Sequence, residues 1–534
     1  MKSHFTMLDW LILLAYFAAT LGIGLWLSRG SRSSASFTAG DRSLPGWACG
    51  LSIFATFLSS ISFLALPGKS FGGDWTPFVF SLSLPVATWV AARWFLPFYR
   101  ASGEISAYSH LEHRFGPWAR VYASSFYLLT QLARVAMVMY LMAMPMAVIM
   151  GVPIASVLLV TGVVVTLYAV VGGIVAVIWT DALQAFVLIA GALACLALML
   201  WRLPDGPAGL LATAAAHDKF SLGSMTLTDW SRQTFWVVLL NGLFVNLQNF
   251  GIDQSYVQRY LASPTEAEAR KSVWLGGLLY IPVSAVFFLI GTALFAFYLE
   301  HPADLAEVRE TAAAQRLVQA GWDSAAPGFG EQVAAKAATL GLAEIGDGVF
   351  PHFIGKHLPA GVTGLLIAAI FAAGMSTIST SLNSAATVLH ADFHRRFFRG
   401  AADDAGALRV LRWATLGFGA AGTATAFLLL NVASALDAWW TLSSICSGGI
   451  LGLFLLGWLC RRAGNPAAAA AVICGLLVIA WITLSTAGWW PSALAGWRSP
   501  FHAFLAIVLG TLVILLGGVA FSALWRRPVS PSDA

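Results

Sequence analysis

Long uninterrupted runs of apolar residues, each of about 18 to 30, recur along nearly the whole chain and are separated by short polar stretches. A helix needs roughly 20 apolar residues to cross the hydrocarbon core, so each run predicts one membrane span. Strands of a membrane barrel would be half as long and would alternate. Thirteen spans are predicted, at 7–27, 46–71, 76–99, 118–150, 153–171, 174–201, 231–253, 272–299, 360–392, 408–430, 437–459, 468–489 and 500–525. The first is too long for a signal peptide and lacks a cleavage pattern, so it reads as a retained helix. An odd number of spans puts the two termini on opposite sides. Lysine and arginine concentrate in the loops that lie inside when the amino terminus is outside, among them Arg29, Arg42, Arg100, Arg114, Arg259, Arg270, Arg395 and Arg461. The positive-inside rule therefore places the carboxyl terminus in the cytoplasm. One connection, 300–359, is long and charged with helical periodicity from Leu305 to Ala320, which predicts a partly helical outer flap.

Polar residues inside these runs carry the functional information. The segment AGMSTISTSLNS, 373–384, puts Ser376, Thr377, Ser379, Thr380, Ser381 and Asn383 at the centre of a span without charge. On a helix Ser376, Ser379, Thr380 and Asn383 share a face. Such a face supplies hard oxygen ligands for a small cation; the alternatives are hydroxyls bonded back to their own helix and small residues at a helix contact. In FATFLSSISFLALPGKSF, 54–71, Thr56, Ser59, Ser60 and Ser62 lie mid-span ahead of Pro67 and Gly68. A helix unwound between Ala55 and Ser62 would bare carbonyls for a cation and amides for an anion; a packed kink is the other reading.

Asp181 and Arg134 are ionisable groups within spans, and each needs a partner. Asp181 beside the hydroxyls would make a Na⁺ or H⁺ site, or else cap its helix at the interface. Arg134 lies about 16 residues from either end of a span that contains no acid. Its fork suits a carboxylate held by two parallel bonds, supplied by Asp181 or another protein acid, or by the transported solute. Asn246, Gln248 and Asn249 suit either a hydroxylated solute or interhelical bonding. His110 and His113 lack the HExxH order and read as a charged loop.

Composition narrows the class further. Of 534 residues 58 % are hydrophobic and 10 % charged, with mean hydropathy +0.77. The net charge of +5 reflects loop arginines and gives no sign of a nucleic-acid partner. The five cysteines lack metal or disulfide spacing. No nucleophile, base and orienting group fall together, which argues against an enzyme.

Taken together, FLSSISFLALPGKSF with Asp74 and Trp75, LEHRFG, GGIVAVIWTDALQ, DQSYVQRYL and AAGMSTISTSLNS, in this order over nearly the whole length, resemble the sodium/solute symporter family. Arg134 in ARVAMVMYL and the lead-in GDRSLPGWACG make the chain most similar to its bacterial sialic acid branch. The resemblance implies an all-α membrane protein of about 13 helices with a five-plus-five inverted repeat, the leucine-transporter-type fold. It divides the chain into a first helix and inner loop (1–45), a first repeat (46–201), an outer loop (202–230), a second repeat (231–459) that includes the loop 300–359, and two last helices with a tail (460–534). It further implies a first sodium ion held by the carbonyls of Ala55, Leu58 and Ala373 and the hydroxyls of Ser376 and Thr377. A second would be held by Asp181, the Ser376 carbonyl, and the Ser379 and Thr380 hydroxyls.

Solute contacts implied in the same way fall at Phe57, Ser59, Ser62, Ser81, Arg134 and Gly242, with Asn246 added from the amide cluster. Phe57, Ser81 and Gly242 depart from the sialic acid pattern, where a threonine, a glutamine and an aromatic residue are expected. The function implied is secondary active uptake of a small organic acid, sialic acid foremost, coupled to about two Na⁺ and located in the plasma membrane among lipid. The alternatives are another sugar acid, a monocarboxylate or an amino acid, a proton-coupled or neutral-solute symporter, and a non-translocating sensor. A sensor would carry a signalling module, and the stretch after Trp525 holds none.

Overall fold

The computed structural model describes residues 5–27, 32–397, 403–430, 448–486 and 490–524, and these are almost entirely helical. In chain order the elements that frame the site are α1 (Met7–Leu27), α2 (Gly46–Phe57), α3 (Ser60–Gly72), α4 (Thr76–Ser102), α5 (Pro117–Met150), α6 (Ile154–Arg202), α7 (Phe235–Ile252), α8 (Gln254–Ala262) and α9 (Glu266–Glu300). They continue with α10 (Pro302–Gln319), α11 (Leu342–His357), α12 (Val362–Val388), α13 (Asp404–Leu429), α14 (Gly448–Leu459), α15 (Asn465–Ser485) and α16 (Ala506–Leu524). Among the described residues nine helices are long and apolar enough to cross a membrane, or ten if the bent pair α2–α3 is one span. Of the expected span 437–459, only α14 lies within the described residues.

The expected span 46–71 is two helices meeting at 58°. The break falls at Leu58 (φ −91°, ψ 89°) and Ser59, and the Ser59 side chain caps α3 by accepting from the Ser62 amide. Pro67 and Gly68 do not make this break; they lie inside α3. The expected spans 153–171 and 174–201 join in α6, whose 49 residues would measure about 74 Å if straight. They turn at Gly173 (φ 55°, ψ −150°). A Cβ there would come within 2.7 Å of the Phe37 ring, so both the dihedral and the close approach require glycine. A further break was not anticipated: the helix starting at Phe235 ends at Asp253 (φ −73°, ψ 123°), and α8 restarts behind it.

The centre of the molecule is α12. In the span built on it, 89 % of the apolar window is buried, against 22 % for α1 at the periphery. It packs along α6, α5 and α1, and touches both α2 and α3. Its hydroxyls therefore meet protein rather than lipid. The long connection 300–359 is helical at α10, at Phe329–Thr339 and at α11, and α11 lies against α3.

Candidate cation and solute site

Breaking a helix at Leu58 frees the last carbonyls of α2, because no amide four residues on can reach them. The Leu58 amide still bonds Phe54 O at 3.0 Å; the next carbonyls turn towards α12. Ser376 Oγ donates to Ala55 O at 2.9 Å and lies 3.2 Å from Ala373 O. Thr377 Oγ1 lies 3.1 Å from Ala373 O and 3.5 Å from Thr56 O. Ala55, Ala373, Ser376 and Thr377 are thus brought together at the carbonyl end of α2, with Leu58 at the break itself. All five are buried. Back-bonding within α12 and contact across to α2 occur at the same hydroxyls, so the two readings of the ladder are not exclusive.

One turn further along α12 the hydroxyls meet Asp181, which is fully buried on α6. Ser379 Oγ lies 3.4 Å from Asp181 Oδ1 and 3.1 Å from Ser376 O; Thr380 Oγ1 lies 3.4 Å from Asp181 Oδ2. Every group expected around a second ion is present. The same pocket also holds Arg259, which the sequence analysis counted among loop charges. Arg259 is 2 % exposed and pairs with Asp181 at 3.0 Å. It also donates to Ser52 Oγ at 2.7 Å and to Thr380 Oγ1 at 2.5 Å, while Ser52 donates to Asp181 Oδ2 at 2.5 Å. Asp181 is therefore neither a helix cap nor the partner of Arg134. Among the described residues no group of three or more His, Cys, Asp or Glu is placed to hold a metal; the oxygens gathered here are those of hydroxyls, carbonyls and one carboxylate, ligands that suit a hard cation.

The remaining ladder residues point elsewhere. Ser381 donates to Gln131 Oε1 at 2.7 Å and Asn383 reaches Phe37 O at 3.4 Å. The hydroxyls thus serve several sides of a helix that is surrounded by protein.

The partner of Arg134 is Asp253 at the second break, 4.0 Å away. Near it Phe57 sits in an aromatic cluster, with ring centroids 4.5 Å from Tyr280, 6.0 Å from Phe250 and 6.5 Å from Tyr256. Tyr256 stands beside both Arg134 and Asp253. Ser59 and Ser62 occupy the amide end of α3, half-buried. Ser81 lies 3.2 Å from Ser284. Asn246 donates to Ser83 Oγ at 2.9 Å, and its buried Oδ1 has no protein partner. Gly242 does not open a pocket: a Cβ there would lie 2.8 Å from Phe80 O, so it serves the contact between α7 and α4. His110 and His113 lie on a short helix, Ser109–Phe115, beside Glu112, which pairs with Arg120 and Arg396.

Carbonyls freed by a broken helix, hydroxyls opposite them and an arginine beyond are a layout that known families can be compared with. The model of the sodium:solute symporter family matches residues 37–475. The chain belongs to that family. It is a multi-pass membrane transporter, not an enzyme, and Na⁺ is its coupling ion. Relatives of this symporter include the sodium/sialic acid symporter SiaT of Proteus mirabilis, 28 % identical over 98 % of this chain and 97 % of its own. The sodium/sialic acid symporter NanT of Aliivibrio fischeri is 28 % identical over 99 % and 96 %. A solved Na⁺-coupled sialic acid symporter, substrate-bound and outward-open, superposes with a TM-score of 0.83 at 26 % identity, covering 98 % of this chain and 99 % of that one. The architecture is the leucine-transporter-type fold implied by the sequence motifs.

Proposed function

We propose that the symporter couples the inward flow of two sodium ions to uptake of a small organic acid, sialic acid being the foremost candidate, across the plasma membrane. The observation that carries this reading is Arg134, a guanidinium within a membrane span that is 23 % exposed and held only loosely, at 4.0 Å, by Asp253. A guanidinium so loosely paired suits a solute carboxylate held by two parallel bonds. Sialic acid is what the relatives SiaT and NanT are named for. Ser59, Ser62, Ser81, Phe57 and Asn246 line the solute's path, and the unpartnered Asn246 Oδ1 accepts from its hydroxyls.

The first sodium ion is assigned to Ala55, Leu58, Ala373, Ser376 and Thr377. The second is assigned to Asp181, Ser376, Ser379 and Thr380. Sodium capture at the break draws α2 to α12, favours the outward-facing state and organises the solute pocket; by linkage the solute tightens sodium in return. The repeats of the fold run from 46 to 201 and from 231 to 459, with the amino terminus outside and the carboxyl terminus inside. A one-sodium reading is favoured by a specific feature, the Arg259 guanidinium bonded to Asp181 and Thr380.

Charge separates these readings. Two sodium ions with one monoanionic acid carry one net positive charge inward, driven by about 2.3 kcal/mol per 100 mV; one sodium with the acid is electroneutral. Purified protein in proteoliposomes, given labelled sialic acid and a panel of other acids under a sodium gradient, tests the assignment. Uptake should need sodium and rise with an inside-negative potential. Equal uptake in choline refutes the function, and sodium-dependent uptake insensitive to potential refutes the second ion.

A further inference from the structure

Among the described residues, the arginine–aspartate pairs made by Arg259 and Arg134 differ in kind. Arg259–Asp181 is closed: the two side chains are 2 % and 0 % exposed, 3.0 Å apart, and tied to Ser52 and Thr380 as well. Arg134–Asp253 is open: the side chains are 23 % and 10 % exposed and 4.0 Å apart. A strong arginine–carboxylate bond is roughly 2.7–2.9 Å and often doubled. Arg134 is therefore neutralised without being used up.

Asp253 is itself divided between two tasks. It stands at the break between α7 and α8, and its Oδ1 caps α8, accepting from the Ser255 amide at 2.8 Å. The Ser255 hydroxyl donates to the same atom, and Tyr127 OH lies 3.4 Å from it. Oδ2 is left to face Arg134. The cap needs an acceptor oxygen and no charge; the facing of Arg134 needs the charge.

Resting on the reading that the solute's carboxylate reaches Arg134, we infer that Asp253 is a stand-in counter-ion for that carboxylate, which acids must displace to bind. In the empty site it makes a membrane-embedded arginine tolerable. A solute carboxylate that offers two parallel bonds displaces it; an uncharged solute has nothing to exchange. Asp253 therefore weakens acid binding, because the acid must displace it, while an uncharged solute binds beside the intact pair and is unaffected. The exchange also relieves Asp253 of one bond at the hinge of α7 and α8, which ties arrival of the solute to the second break.

The experiment measures equilibrium binding of sialic acid and of its uncharged methyl ester to the full-length protein in sodium. Asp253→Asn keeps an acceptor for the Ser255 amide and removes the charge. It should tighten sialic acid roughly five- to tenfold and leave the ester within about twofold. Asp253→Ser, also a good cap, should do the same and serves if Asn impairs folding. Unchanged or weaker acid binding in a folded variant, or an equal change for acid and ester, overturns the inference. Arg134→Gln in the same assay tests the underlying reading: intact preference for the acid over the ester removes the carboxylate site itself. Loss of that preference in Arg134→Gln, with no selective gain in Asp253→Asn, removes only the role of Asp253.

Discussion

Replacing Arg259 by glutamine should destabilise the protein in sodium-free medium far more than in sodium. The side chain is buried, lies 3.0 Å from Asp181, and donates to Ser52, Thr380 and the Ser255 carbonyl. Removing one member of a buried ion pair costs about 3–5 kcal/mol, because the other charge is left without compensation. If sodium occupies the proposed position at Asp181, Ser379 and Thr380, it supplies the missing charge. An ion at 100 times its Kd that binds only the folded state contributes about 2.7 kcal/mol. The loss in sodium should then fall to about 1–2 kcal/mol.

Thermal unfolding of wild type and Arg259→Gln in sodium and in choline, at equal ionic strength, reads this difference. The proposed first sodium position is intact in both proteins, so its contribution cancels between them; at the second, Arg259 competes with the ion for Asp181 and Thr380 in wild type, so sodium there stabilises Arg259→Gln more than wild type. Asp181→Asn added to Arg259→Gln removes both charges; it should recover much of the stability and abolish the differential sodium effect. The reasoning is refuted if Arg259→Gln loses the same stability in both salts, since Asp181 would then attract no ion when freed.

At the first position, Ser376→Ala with Thr377→Ala removes two of five oxygens and should lower apparent sodium affinity by at least about tenfold, read as uptake against sodium concentration. Ala in place of Gly173 meets both a positive φ and the Phe37 ring at 2.7 Å; it should lower thermal stability by more than about 1 kcal/mol. Helices α10 and α11 of the long connection are joined by Lys356 bonded to Asp304 and Glu307, with His352 at 3.5 Å from Glu307. The Lys356 bond holds Glu307 below the ordinary carboxylate value, and burial holds His352 below its usual 6.5. Both depressed groups contribute stability above their unfolded values and lose it as pH falls. Hydrogen exchange over 302–357 should therefore be flat at neutral pH, quicken below about 6.5 as His352 is forced to protonate, and quicken again in the carboxylate range.

Most spans among the described residues were readable from apolar runs because lipid imposes length and composition directly, although the count of thirteen is not matched by the nine or ten helices found there. The break at Leu58 was readable from hydroxyls crowded into such a run, although Pro67 and Gly68, which suggested it, sit within α3. The break at Asp253 was not: no proline or glycine marks it at the hinge itself. The only local sign is an aspartate placed to cap Gln254–Ala262. Arg259 was misplaced for a physical reason. The positive-inside rule assigns a basic residue near the end of an apolar run to a loop, and the acid that draws Arg259 inward lies 78 residues earlier. Asp181 and Arg134 each announced the need for a partner, yet pairing between distant helices leaves no trace in the spacing, and the two proved to belong to different pairs.

Both proposed sodium positions depend on one helix, and this has a consequence for coupling. Ser376 and Thr377 face the carbonyls of α2, while Ser379 and Thr380 face Asp181 on α6. Three residues along a helix span about 4.5 Å, so a shift of α12 by one turn breaks both sets together. Each ion held 100-fold above its Kd in one state only shifts the balance by about 2.7 kcal/mol. Two ions shift it by about 5.5 kcal/mol, the amount that carries an equilibrium from 1:99 to 99:1. One ion alone would leave the two states near equal. On the two-sodium reading, Ser376→Ala with Thr377→Ala should therefore shift the protein towards an even division between outward- and inward-facing forms at a sodium concentration that just saturates wild type. Spin labels on the outer ends of α3 and α12 would report that as two distances of similar weight. A single outward population in this variant would show that the Asp181 position suffices, and that the oxygens at the break serve a purpose other than setting the state.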